Sequence, residues 1–227
     1  MLWGLWDYIL KNGSMWGLIG SLITLGINVF ITRKTKKENA RVFLDTRSLE
    51  RNVITQLDNE DYKNGAHLLL TDKYIEMMEG IESAKKSHSE ELEKSTMQFL
   101  EIENMSSNPC FGMKIKHYLK ANSGKEETDE CDIYTMKAND IVIFPLINDG
   151  GYETNIIEII YNTLESETMK YECITTYKGK ILDTDKDDVE VKQTVYRRGW
   201  FGIYRKMFSI SGSGMGSTSK IKKVAES

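Results

Sequence analysis

The stretch FLEIENMSSNPCFGMKIKHY, Phe99 to Tyr118, decides the fold. In MKIKHYL, Met113, Ile115 and His117 alternate with Lys114 and Lys116, so one set of side chains faces a core and the other faces water. Between the two apolar runs, Ser106-Ser107-Asn108-Pro109 supplies the small and proline-set positions at which a chain reverses. A second stretch, IFPLINDGGYETNIIEIIY from Ile143 to Tyr161, follows the same plan. Each copy is an apolar strand ending in Asn104 or Asn148, a small-residue turn, and a strand closing in Tyr118 or Tyr161. The two copies predict a pair of matching hairpins.

Working outward, TMQFLEIEN, CDIYTMKA, DIVIFPLIN, NIIEIIYNT and MKYECITTY continue the strand spacing, with turns at Asn122-Ser123-Gly124, Asp149-Gly150-Gly151 and Lys178-Gly179. Six or seven such strands predict a mainly β chain built as an antiparallel two-sheet sandwich over residues 96–208. On these repeated strand–Asn–turn units, residues 96–180 resemble the immunoglobulin-like β-sandwich domains carried behind an N-terminal membrane helix in bacterial and phage proteins. The resemblance implies a binding or scaffolding module. The glycine that usually follows the asparagine in that group is Met105 in the first copy.

Ahead of this body, MWGLIGSLITLGINVFIT, residues 15–32, carries no charge. At about 1.5 Å per helical residue it reaches roughly 27 Å, close to the thickness of a bilayer core. Met15, Trp16, Leu18, Ile19, Leu22, Ile23, Leu25, Ile27, Val29, Phe30 and Ile31 are its spanning side chains. The basic cluster Arg33, Lys34, Lys36 and Lys37 follows the apolar run instead of preceding it, and no A-x-A exit is present, so the segment is expected to be retained. Only Lys11 opposes Asp7 on the other flank. The positive-inside rule then predicts a single pass through the cell inner membrane, N-terminus outside and C-terminal domain cytoplasmic. Trp3, Trp6 and Tyr8 read as an interfacial anchor. Gly13, Gly17 and Ser21 place small residues on one helix face, the spacing that lets two membrane helices associate and that predicts a homo-oligomer.

Residues 1–37 are thus an interfacial segment, span and basic flank. Residues 38–95 are a connecting region in which ARVFLDTRSL reads either as a first strand, the favoured reading, or as a helical stalk across 38–57. Tyr74, Ile75, Met78 and Ile81 recur at helical spacing after Asp72, a candidate N-cap, and predict a short amphipathic helix over 73–83. Residues 209–227, Ser/Gly-rich and basic, read as a flexible tail.

The net charge of −4 excludes a uniformly basic nucleic-acid binder, and it conceals a segregation. Residues 1–40 hold five Lys/Arg and two Asp/Glu, residues 41–191 hold 17 and 31, and residues 192–227 hold eight and one. A basic, aromatic end beside a tethered domain points to anionic headgroups. Two readings of TVYRRGWFGIYRKMF stand side by side. In one, Arg197, Arg198, Trp200, Phe201, Tyr204, Arg205 and Lys206 contact the membrane surface. In the other the segment is a terminal hairpin turning at Gly199 or Gly202, with its aromatics in the core. The RNA-recognition register fails here, because Gly199 is followed by Trp200 and Phe201 before Gly202, and no nucleic-acid partner is predicted.

No catalytic constellation is legible, and the chain reads as a non-enzyme without cofactor or metal. Cys110, Cys131 and Cys173 show no close pair, and His67, His88 and His117 lie far apart. Asp183, Asp185, Asp187, Asp188 and Glu190 begin like a calcium loop but place Asp188 where its glycine and Thr194 where its bidentate acid must stand. The sequence therefore predicts a membrane-anchored module whose sandwich recruits or senses a protein partner at the bilayer. The alternative is a membrane-perturbing effector, of phage-exclusion or antiphage type, acting through helix assembly.

Overall fold

A computed structural model describes residues 13–52, 65–85, 95–120, 124, 126–147, 154–180 and 187–216. Two compact units divide the chain, Met1–Arg41 and Val42–Ser227. Within the first, helix α1 (Gly13–Asn39) runs through the uncharged segment and on through the basic flank. Of the two readings of ARVFLDTRSL, the strand is found and the helical stalk across 38–57 is not: α1 ends at Asn39 and β1 (Leu44–Asn52) begins five residues later.

The second unit is mainly β. After β1 come β2 (His67–Leu68), helix α2 (Asp72–Lys85), β3 (Thr96–Asn104), β4 (Cys110–Lys120), β5 (Glu126–Met136) and β6 (Ile141–Leu146). β7 (Thr154–Asn162), β8 (Thr168–Lys180), β9 (Asp187–Arg198) and β10 (Tyr204–Gly216) complete it. They form a four-stranded sheet in the order β1-β3-β6-β2 and a six-stranded sheet in the order β10-β9-β8-β7-β4-β5. All neighbours are antiparallel except β2 with β6.

The two repeated stretches are not hairpins. β3 and β4 lie in different sheets, as do β6 and β7, while β3 pairs with β6 and β4 with β7. The repeat is real, but each copy crosses from one sheet to the other. Asn104 shows why the first copy does so. Fully buried, its amide nitrogen donates to the carbonyls of Asn108 and Lys137 at 2.9 Å. Its oxygen accepts from the Ser106 amide at 3.1 Å and the Ser106 hydroxyl at 2.6 Å. Such an Asx turn ends the β3 ladder and satisfies the backbone where the chain changes sheets.

One apolar cluster joins the sheets: Leu100, Ile102, Val142 and Phe144 of the four-stranded sheet meet Ile115, Ile159, Tyr171 and Val195 of the six-stranded sheet. α2 covers the opposite side of β3 and β6, where Tyr74 and Ile81 pack with Met97, Phe99 and Ile143. Its N-cap is Thr71, not Asp72, because the Thr71 hydroxyl accepts from the Tyr74 amide at 3.2 Å. Met77 joins Met78 against the sheet while Ile75 is exposed. Burial on both faces is why β6 reads IVIFPL without alternation.

Residues 209–216, expected in a flexible tail, are the second half of β10. Their Ser/Gly composition reads as a linker in isolation, yet every residue from Ser209 to Gly216 has a cross-strand partner on β9. β1 and β2, expected outside the sandwich, are strands of the four-stranded sheet.

Candidate functional site

α1 is long and apolar enough to cross a membrane, with mean hydropathy 1.3 over its apolar 18-residue window and none of that window buried. Trp16, Leu18, Ile19, Leu22, Ile23, Leu25, Ile27, Val29, Phe30 and Ile31 all project outward; the side chain of Met15 lies outside the described residues. Ser21 donates to the Gly17 carbonyl and Thr24 to the Gly20 carbonyl, each at 2.8 Å, so these hydroxyls are satisfied within the helix. A Cβ at Gly17 would meet nothing within 4 Å. Arg33, Lys34, Lys36 and Lys37 occupy its last turns, Lys34 standing 3.9 Å from Glu38.

The basic aromatic segment is a hairpin, as one reading held, but its aromatics do not all fill the core. Between β9 and β10 the chain turns through Trp200–Gly202, closed by the Gly199 amide donating to the Ile203 carbonyl at 2.7 Å. Gly202 has φ +75°, and Phe201 adopts φ 63° without being glycine, which costs roughly 1–2 kcal/mol. Phe201 is 95% exposed, and Ile203 stands beside it in solvent. Arg198 leans over the turn, its guanidinium 3.3 Å from where a Gly202 Cβ would sit, and Arg205 flanks Gly199 at 3.4 Å. The tip therefore presents an apolar point between two guanidinium groups.

Other members of the predicted set are engaged elsewhere. Arg197 turns inward to Glu167 at 3.6 Å, and Glu167 is buried. Tyr204 belongs to the outer face of the six-stranded sheet, where Lys170 lies 5.8 Å from its ring and 5.5 Å from that of Tyr196. Lys170 is held by Glu158 at 2.6 Å and Glu172 at 3.0 Å, and these two carboxylates raise its pKa against the effect of burial. Lys206 is exposed on the strand. The side chain of Trp200 lies outside the described residues.

A second feature was not legible in the sequence. Between the sheets, beside β1, is an open cleft of about 380 Å³. Thr46, Ser48 and Glu50 of β1 form one wall, and Cys173, Thr175 and Tyr177 of β8 with Val189, Val191 and Gln193 of β9 form the other. The cleft exists because the six-stranded sheet outruns its partner. β1 faces β8, the Thr46 and Tyr171 hydroxyls sharing a 2.6 Å hydrogen bond, and no described strand faces β9 and β10.

Farther along the core is a buried polar group. Thr71 donates to Asp129 at 2.8 Å, and Lys73 meets Glu127 at 3.2 Å. His117, 1% exposed, packs edge-on against Phe144, and among the described residues neither its Nε2 nor the Oδ1 of Asn155 has a hydrogen-bond partner. Burial pushes the imidazole down to about 4, Lys73 adding to the shift and the Asn155 amide opposing it. Cys110 is fully buried and pushed up to about 11, so it is not a nucleophile at neutral pH. Among the described residues, no three His, Cys, Asp or Glu side chains are placed to hold a metal. Asp183 and Asp185 lie outside the described residues, and Glu190 pairs with Lys178 at 2.7 Å.

No family model, no curated protein and no solved structure matches this chain.

Proposed function

We propose that this protein is a single-pass inner-membrane protein whose second unit, an immunoglobulin-like antiparallel β-sandwich, is held at the cytoplasmic face as a non-enzymatic binding module. The sandwich reading is supported by the core shared between the sheets. The immunoglobulin-like reading is supported by strand order: β1-β3-β6 follows the A-B-E arrangement and β5-β4-β7-β8 the C′-C-F-G arrangement, to which β9 and β10 are added.

The observation that carries the anchor is α1, whose outward-facing apolar side chains are uncovered among the described residues. The hairpin tip supports a contact with anionic headgroups. It lies at the end of the six-stranded sheet reached by the start of β10, and β1 runs in the same sense as β10. That sense follows because the Tyr161 hydroxyl donates to the Val42 carbonyl at 2.8 Å and Tyr171 bonds Thr46, while Tyr161 pairs with Met169, two residues before Tyr171. β8 and β10 share one sense, both being antiparallel to β9. The tip and the start of β1, where the chain arrives from the helix, therefore share one end of the domain. Alkaline carbonate extraction tests the anchor: the full chain should stay in the pellet, and its release to the supernatant would end the reading.

A helix-assembly effector remains the second reading, favoured by the open face at Gly17.

A further inference from the structure

We infer that the whole turn-bearing end of the second unit is a lipid-docking face, which seats Phe43, Met105, Leu164, Phe201 and Ile203 among the headgroups of an anionic leaflet. This rests on the membrane-anchored module proposed above and extends its headgroup contact to turns that lie outside the basic hairpin.

The strand registers bring these residues to one end. In the four-stranded sheet Leu44, which opens β1, stands opposite Asn104, which closes β3, and Glu103 pairs with Ile141, the first residue of β6. In the six-stranded sheet Cys110 pairs with Met136, Phe111 with Asn162 and Asn162 with Thr168. Met169 then pairs with Arg197, and Arg198 with Tyr204. Each of these residues is at or next to the end of its strand, so within each sheet they share a level. Residues 105–109 and 137–140 carry the chain from one sheet to the other at that level, and the Tyr161 hydroxyl reaches the Val42 carbonyl at 2.8 Å. The turns 105–109, 137–140, 163–167 and 199–203, with the start of β1, therefore make one end face, and its backbone lies wholly within the described residues.

Turns that meet water are ordinarily built from Gly, Pro, Asn, Asp and Ser. Here Met105, Leu164, Phe201 and Ile203 stand on three of the four turns, each more than half exposed, with Phe43 nearly so. One exposed apolar side chain is commonplace, but five on one end of a domain make a patch. Phe43 and Met105 are immediate neighbours, since the Met105 amide donates to the Phe43 carbonyl at 3.0 Å. The turn 163–167 caps β7 and β8 while 199–203 caps β9 and β10, so these turns are two strand spacings apart, about 10 Å.

Charge selects the occupant. Lys137 joins Arg198 and Arg205 as an exposed cation of this end. Among the acids of the turns, Glu167 is buried against Arg197 and the Asp140 carboxylate accepts from the Lys137 amide at 2.7 Å, while Glu165 is exposed. Apolar tips among basic groups suit a surface that is anionic outside and hydrocarbon beneath. The tether acts in the same direction. Only residues 40–43 join α1 to β1, a stretch that spans at most about 18 Å when fully extended. A face so close along the chain to a membrane span meets lipid at a high effective concentration.

The test uses the full chain in proteoliposomes with Cys131→Ser, Cys110 and Cys173 being buried. Met105→Cys, Leu164→Cys and Phe201→Cys each receive an environment-sensitive fluorophore. Ser211→Cys is the control, exposed on β10 and about 23 Å along the strand from Tyr204. In vesicles rich in anionic lipid, a quencher carried on the lipid should dim the three turn labels at least about threefold more than the control, and by less in zwitterionic vesicles. Quenching at Phe201 alone, at none of the turns, or equally at Ser211 overturns the proposal. So does a response seen in native membranes and absent from protein-free liposomes, which would assign the face to a protein partner. Leu164→Glu with Met105→Glu, both outside the core, should roughly halve the quenching at Phe201 while the circular dichroism stays that of the parent; undiminished quenching counts equally against the face. Flotation of the same vesicles separates the two ideas: a chain that floats with its Met105 and Leu164 labels in water refutes this face and leaves the anchor standing.

Discussion

Asn104 and His117 are both buried polar side chains, and they bear on stability in opposite ways. Asn104 has its amide oxygen and nitrogen engaged by Asn108, Lys137 and Ser106. Asn104→Ala would remove four hydrogen bonds from the corner where the chain changes sheets and should cost about 2–4 kcal/mol, read as a lower denaturant midpoint of the full chain in micelles. A loss below about 1 kcal/mol would show that the corner holds without it. His117 instead is buried neutral, with its folded pKa at about 4, below the free value of about 6.5. The unfolded chain thus binds the proton first, and the contribution of neutral His117 is present above about pH 6.5 and declines as pH falls toward 4, by at most roughly 3 kcal/mol. Asp129, raised by burial, acts in the opposite sense, so the slope is best read as a difference. His117→Leu should flatten the loss of stability between pH 6.5 and 4, and parallel profiles for the two proteins would refute the assignment.

At the scale of elements, the hairpin tip gives the sharpest forecast. With Phe201→Cys carrying an environment-sensitive fluorophore in a Cys131→Ser chain, proteoliposomes rich in anionic lipid should shift its emission to the blue relative to zwitterionic ones. Arg198→Glu with Arg205→Glu should abolish the shift, each removed base being worth about 1 kcal/mol near such a surface. Arg197→Glu should instead act mainly on folding, because it faces the buried Glu167. For α1, Gly17→Leu should suppress toxicity on overexpression if helix assembly is the activity, and unchanged toxicity would argue against the effector. Much of this layer was legible. The period-two runs gave β3, β4 and β7 nearly to the residue, and the helical spacing gave α2, because burial on one face leaves its mark in composition. The sheet crossings at Asn104 were not legible, since an Asx turn serves a hairpin and a crossover equally. β10 was hidden by SISGSGMG, whose small residues are tolerated at an edge where no side chain need pack. The cleft was invisible for a further reason: it arises from a difference in strand number between two sheets, which no local pattern encodes.

At the scale of the whole molecule, the question is which side of the bilayer the sandwich occupies. The sequence places Arg33, Lys34, Lys36 and Lys37 within the last turns of α1 and before β1, and only Lys11 on the opposite flank. Translocating that cluster opposes the bias that sets the orientation of single spans. The basic hairpin tip favours the same side, because the inner leaflet carries the anionic lipid. A tag after Ser227 should therefore resist protease in intact spheroplasts and be cleaved once they are lysed. Cleavage in intact spheroplasts would place the sandwich outside. The headgroup contact would then face a leaflet with weaker anionic attraction, and the emission shift at Phe201 should shrink even with Arg198 and Arg205 in place.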